Sequence, residues 1–124
     1  MKKILLIEDD PFMIDIYTTK LKEAGFLVCS SADGEDALQQ AKNEKPDLIL
    51  LDIVLPKLTG LEFLKEIKEL SQFQETPVII LSNLGQKAEV EKGLKMGARK
   101  YFIKAHYTPS EVIEQIRQIF QEIK

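Results

Sequence analysis

Five short apolar runs, KILLI, FLVCS, DLILL, PVIIL and KYFI, recur along the chain and alternate with longer stretches whose apolar residues return at helical spacing. Runs this short and this continuous are the mark of strands buried on both faces of a parallel sheet. The segments between them supply the cover. Met13, Ile16, Tyr17, Leu21 and Ala24 mark one helical face, and Val112, Ile113, Ile116, Phe120 and Ile123 mark another. Helix starts agree: Asp10 precedes Pro11, Asp33 precedes GED, and in TPSE Thr108 can cap a helix whose first turn holds Pro109 and Glu111. Gly25 and Gly97 fall where a helix must stop before the next strand. The order is therefore five βα units, and right-handed crossovers turn such a chain into a doubly wound α/β sheet. Ligands of these sheets are expected outside the carboxyl ends of the strands.

That edge collects every polar residue that the apolar runs do not explain. Glu8 and Asp9 follow strand 1, Asp52 ends strand 3 inside LILLDIV, Ser82 and Asn83 end strand 4, and Lys104 ends strand 5. Helix capping accounts for Asp10 but needs neither a lysine nor an acid within a buried run. Crowded carboxylates repel, so the set must take up a proton or hold a cation, and oxygen-only ligands favour a hard ion such as Mg²⁺. Asp52 can then act as a nucleophile on phosphorus. Lys104 would neutralise phosphoryl oxygens and the Ser82 hydroxyl would donate a hydrogen bond to one of them, leaving an aspartyl phosphate.

Composition narrows the setting. At 124 residues the chain, read as a single domain over 1–124, can bury one good core but not two. No apolar run approaches a membrane span and the N-terminus lacks the layout of a secretory signal, so a cytoplasmic protein is expected. The lone Cys29 reads as a small core residue. A net charge of −3, with Lys and Arg dispersed among Glu, argues against direct binding of nucleic acid. His106, the only histidine, lies in a strand-to-helix loop with nothing nearby to orient it as a base, and reads as a surface or packing residue. Phe12 is expected at the mouth of the site without a role.

These residues resemble the receiver domain of bacterial two-component response regulators from residue 2 to about residue 123. The likeness is carried by ILLIEDD, PDLILLDIVLPKLTG with Pro56 and Gly60, PVIILSN, and GARKYFIKA. It implies a flavodoxin-like strand order 2-1-3-4-5, (βα)5. It makes Asp52 the phosphoacceptor, with Ser82 and Lys104 beside it, and gives Mg²⁺ the ligands Glu8, Asp9, Asp52 and the backbone carbonyl of Val54. It also implies that Ser82 and Tyr101 act as a switch that reshapes the face of helix 4, strand 5 and helix 5. The partners implied are a histidine kinase or phosphotransfer protein and a downstream protein target, with the chain a monomer or a phosphorylation-dependent dimer and a regulator, not an enzyme. Ala105 stands where the family has a proline after a cis peptide, and a cis bond before a non-proline residue costs roughly 2.5–4 kcal/mol, so both isomers stay open here. Arg99 and Lys100 replace acids that DNA-binding members use in dimer contacts. Asn83, Leu84 and Val54 border the phosphoryl position and bear on its lifetime. Gly93 weakens helix 4 by roughly 0.5–1 kcal/mol relative to Ala.

Three rivals compete with this reading. A phosphatase resembling the haloacid dehalogenases needs a second Asp two residues after its nucleophile, and that position is Val54. A flavodoxin-like electron carrier must embrace a phosphate after strand 1, where Glu8 and Asp9 would repel it. The alternative left is a phosphorylation-independent adaptor that uses the same fold only to bind proteins.

Overall fold

The computed structural model describes residues 1–123. Its elements run β1 (Lys3–Ile7), α1 (Pro11–Glu23), β2 (Leu27–Ser31), α2 (Gly34–Glu44), β3 (Leu48–Leu51), α3 (Gly60–Glu69), β4 (Val78–Ser82), α4 (Lys87–Lys95), β5 (Lys100–Ile103) and α5 (Pro109–Glu122). Short 3₁₀ turns follow α3 (Ser71–Phe73) and β5 (Lys104–His106). All strands pair in parallel, in the order β2-β1-β3-β4-β5. This is the doubly wound, flavodoxin-like sheet the alternation implies. β1 and β5 coincide with KILLI and KYFI, whereas β2 and β4 each run one residue further than the apolar runs and take in Ser31 and Ser82.

The period of two along each strand divides the interior. Leu5, Ile7, Ile49, Leu51, Val78 and Ile80 face α2 and α3 through Ala37, Ala41, Phe63, Leu64 and Ile67. Ile4, Leu6, Leu48, Leu50, Ile79 and Leu81 face α1 and α5 through Tyr17, Leu21, Val112 and Ile116. Burying residues on both faces is what makes the strand runs continuous instead of alternating. On α1 the expected stripe holds, with Tyr17 and Leu21 buried and Met13, Ile16 and Ala24 packed at its margin. On α5 the stripe needs one correction: Ile119 is buried and Ile123 is 43% exposed. Ile123 is the C-cap, beyond the last turn that covers the sheet. Cys29 is half-buried against the core, and burial raises its thiol pKa, so it stays a protonated filler.

The helix starts are built as the sequence reads. Asp10 accepts from the Phe12 N–H at 3.0 Å, and Asp33 accepts from the Asp36 N–H at 2.8 Å. Thr59 and Thr108 each form a full capping box, with Glu62 and Glu111 reaching back to the cap N–H. Removing such a cap leaves an orphan donor, so Thr108→Ala is expected to lower stability by ~1 kcal/mol in urea or thermal melts. Gly25 (φ 95°) and Gly97 (φ 115°) supply the left-handed stops expected of them. Lys45 and Lys57 also adopt positive φ, which nothing in the sequence announces.

Candidate phosphoacceptor site

Two ladder hydrogen bonds set the site. The Glu8 N–H donates to the Ser31 carbonyl and the Asp52 N–H to the Ile7 carbonyl, each at 3.0 Å, so the pairing of β1 with β2 and β3 continues past the strand ends. Glu8 and Asp52 are thereby held side by side on rigid backbone while the chain turns away to α1 at Asp10. Both carboxylates are buried, at 4% and 6% exposure, whereas Asp9 is exposed. One carboxylate oxygen from each of Glu8, Asp9 and Asp52 lies within 4.8 Å of the others. Ser82 is fully buried at the end of β4, and Lys104 reaches in from the end of β5. Together they line a cleft of about 260 Å³ with Val54 and Asn83 at its rim. A larger cavity of about 400 Å³ opens at the opposite end of the strands, beside Lys42, Lys45 and Phe73, and touches none of these residues.

The Lys104 ammonium donates to Glu8 Oε1 at 2.6 Å and to Asp52 Oδ2 at 2.9 Å. The remaining oxygens are also engaged: Glu8 Oε2 accepts from the Asp10 N–H at 3.1 Å and Asp52 Oδ1 from the Val54 N–H at 3.2 Å. Burial raises the Glu8 pKa, against the pull of Lys104 and the Asp10 N–H. Burial also works against the charge on Lys104, but its hydrogen bonds to Glu8 and Asp52 outweigh that and raise its pKa, so it stays an ammonium. Three carboxylates against one ammonium leave an uncompensated negative charge in a partly buried cleft. The donor set is oxygen only, which fits a hard divalent cation and not zinc.

Ser82 and Tyr101 are linked through Leu84, which the sequence places only at the border of the expected phosphoryl position. The Tyr101 hydroxyl donates to the Leu84 carbonyl, and the Leu84 N–H donates to Ser82 Oγ at 3.3 Å. The main chain of one residue thus ties Ser82 to Tyr101, whose phenol pKa is raised by burial. Because the link is main-chain, the identity of residue 84 gives no signal of it. The Val54 side chain points outward at 57% exposure. His106 is exposed in the turn after Lys104, and Phe12, at 72% exposure, stands in the open. All peptide bonds among the described residues are trans, Lys104–Ala105 included.

A parallel sheet in this order, with acids after β1 and β3 and a lysine after β5, is the receiver type of flavodoxin-like fold. The family model for the response regulator receiver domain matches residues 4–117. The chain belongs to that family. It is 35% identical over 120 residues to the alkaline phosphatase synthesis transcriptional regulatory protein PhoP of Bacillus subtilis, covering 97% of this chain and 49% of that protein. It is 30% identical over 119 residues to the chemotaxis protein CheY of Thermotoga maritima, covering 95% and 97%. Among solved structures, the receiver domain of the Francisella response regulator 1452 superposes with a TM-score of 0.91 at 31% identity over the whole of both chains. The chain spans about half the length of PhoP and of the other transcriptional regulators it matches. No helix among the described residues is long and apolar enough to cross a membrane.

Proposed function

We propose that residues 1–124 form one receiver domain that accepts a phosphoryl group on Asp52 from a histidine kinase or phosphotransfer protein and passes the change to a protein target. The observation that carries this is the Lys104 ammonium held between Glu8 and Asp52. It keeps a cation against the carboxylate that is to meet a phosphoryl group. An Asp52 oxygen forms a bond to phosphorus as the bond from phosphorus to the donor breaks, and the electron pair leaves with the donor. Lys104 then turns from the carboxylates to the phosphoryl oxygens, and Ser82, buried at the end of β4, donates to another. Glu8, Asp9, Asp52 and the Val54 carbonyl would hold Mg²⁺, which when bound supplies further charge neutralisation.

Among the described residues, the two positions nearest to serving as a base for water are not set up for it. Glu8 is tied to Lys104 and Asp10, and position 54, where the phosphatase would carry its second Asp, is Val54. The acyl phosphate is therefore a persistent state, suited to a signal read through Ser82, Leu84 and Tyr101 on the α4-β5-α5 face. A cytoplasmic place of action follows from the kinase partner. Intact-protein mass after incubation with acetyl phosphate tests the reading. One added phosphoryl group that requires Mg²⁺ is the expected result. No adduct on a folded protein that binds Mg²⁺ would instead support the phosphorylation-independent adaptor.

A further inference from the structure

α4 rests on the sheet without fully burying a single side chain, Val90 and Glu89 being only half-buried. Its one buried residue is Gly93, and it starts at Gln86 with no side-chain capping bond. A surface helix ordinarily holds its place by burying an apolar stripe. Here close approach replaces the stripe, since a Cβ added at Gly93 would stand 2.7 Å from Ile80 Cδ1 and 3.1 Å from Tyr101 Cδ2. The Tyr101 ring is thereby held between Gly93 of α4 and the Leu84 carbonyl, to which its hydroxyl donates. Since Ser82 bonds the N–H of the same residue, a continuous path of contacts runs from Ser82 through Leu84 and Tyr101 to Gly93.

We propose that Gly93 is a positioning residue for Tyr101: the absence of a side chain there seats the ring against α4 and ties the helix's place on the sheet to the place of the ring. The use of such a seat rests on the switch reading above, but its geometry does not depend on phosphorylation. Helix propensity and the seat make opposite forecasts for Gly93→Ala. Propensity has α4 gain order, since Ala favours a helix over Gly. The seat has α4 and the ring pushed apart, because the added methyl would stand 2.7 Å from Ile80 Cδ1, which cannot be kept, and 3.1 Å from Tyr101 Cδ2, to which the ring must yield.

Peptide-resolved nitration by tetranitromethane reads this directly, with buried Tyr17 as protected reference and half-buried Tyr107 as comparison. In Gly93→Ala the nitration rate of Tyr101 should rise severalfold while Tyr17 stays protected. Ile80→Val removes the Cδ1 atom that the methyl meets first, so the Ile80→Val/Gly93→Ala protein should fall back toward the parent rate. An unchanged Tyr101 rate in Gly93→Ala overturns the proposal, as does a rise that Ile80→Val fails to lower. Should Gly93→Ala unfold, exposing Tyr17 as well, recovery of Tyr17 and Tyr101 protection in the double variant supports the seat and lack of recovery refutes it. The same samples, given acetyl phosphate and Mg²⁺, separate the two readings. A parent that gains no phosphoryl group refutes the switch and leaves the nitration comparison standing.

Discussion

The Asp52→Asn protein is expected to take up no phosphoryl group from acetyl phosphate under conditions in which the parent should gain one. An amide keeps the shape of the carboxylate but not the negative oxygen proposed to attack phosphorus, so the chemistry should be lost while the fold remains. The local cost can be followed atom by atom. Asp52 accepts from the Val54 N–H through Oδ1 and from Lys104 through Oδ2, and an amide can serve only one of the two. Turned either way, it sets its NH₂ group against a donor, and a buried unsatisfied donor costs about 1–3 kcal/mol. Removing a charge from a crowded set of carboxylates offsets part of that. Lys104 also keeps its 2.6 Å bond to Glu8. A folded protein with a modestly changed melt and no adduct is therefore expected, checked by intact mass beside circular dichroism. Glu8 is the informative competitor, since it shares the lysine. An adduct that persists in the Asn variant and maps to Glu8 or Asp9 would remove Asp52 from the centre of the mechanism.

Much of this arrangement is legible in the sequence because it interrupts a pattern. An acid inside LILLDIV, or directly after KILLI, breaks a run that burial alone would keep apolar, and the topology brings the breaks to one edge. Helix caps are legible for the same reason: Thr108 and Glu111 have a local purpose at a fixed spacing, and the structure shows both bonds. What escapes reading is whatever the main chain does without a side chain. The extra residue at the end of β2, the Leu84 main chain between Ser82 and Tyr101, and the left-handed turns at Lys45 and Lys57 have no signature in residue type. Gly93 is the instructive case. Its sequence context speaks of a weakened helix, whereas its surroundings show a helix brought close to Ile80 and Tyr101. The buried face of α5 takes in Ile119, at helical spacing from Val112 and Ile116, and leaves out Ile123, since periodicity does not say where along a helix the sheet ends.

Gly60→Ala is expected to be among the most damaging single-methyl additions to this protein, and to act on the site as well as on stability. Gly60 opens α3, and its N–H donates to the Ile53 carbonyl at 2.8 Å. An added Cβ would lie 2.3 Å from the Asp52 carbonyl oxygen and 2.5 Å from Ile53 Cα. Both are main-chain atoms of the segment that carries Asp52, so no side-chain rotation relieves the contact. Overpacking that a side chain can absorb costs typically ~1–3 kcal/mol, and a collision with backbone belongs at or above the upper end. The better helix propensity of Ala returns only about 0.5–1 kcal/mol. Gly25 supplies the control. It has nothing within 4 Å of an added Cβ, but its φ is 95°. Gly25→Ala should lose roughly 1–2 kcal/mol from left-handed strain alone and still take up phosphate at the parent rate, because the strain lies at the far end of α1. Gly60→Ala should lose more stability and slow the uptake, because the only way to admit the methyl is to move Asp52. Denaturant melts and acetyl phosphate time courses on the two variants separate the effects. If Gly60→Ala loses stability but keeps the parent rate, α3 gives way instead of β3, and the position of Asp52 is fixed by its ladder bond to Ile7 and not by the glycine beneath it.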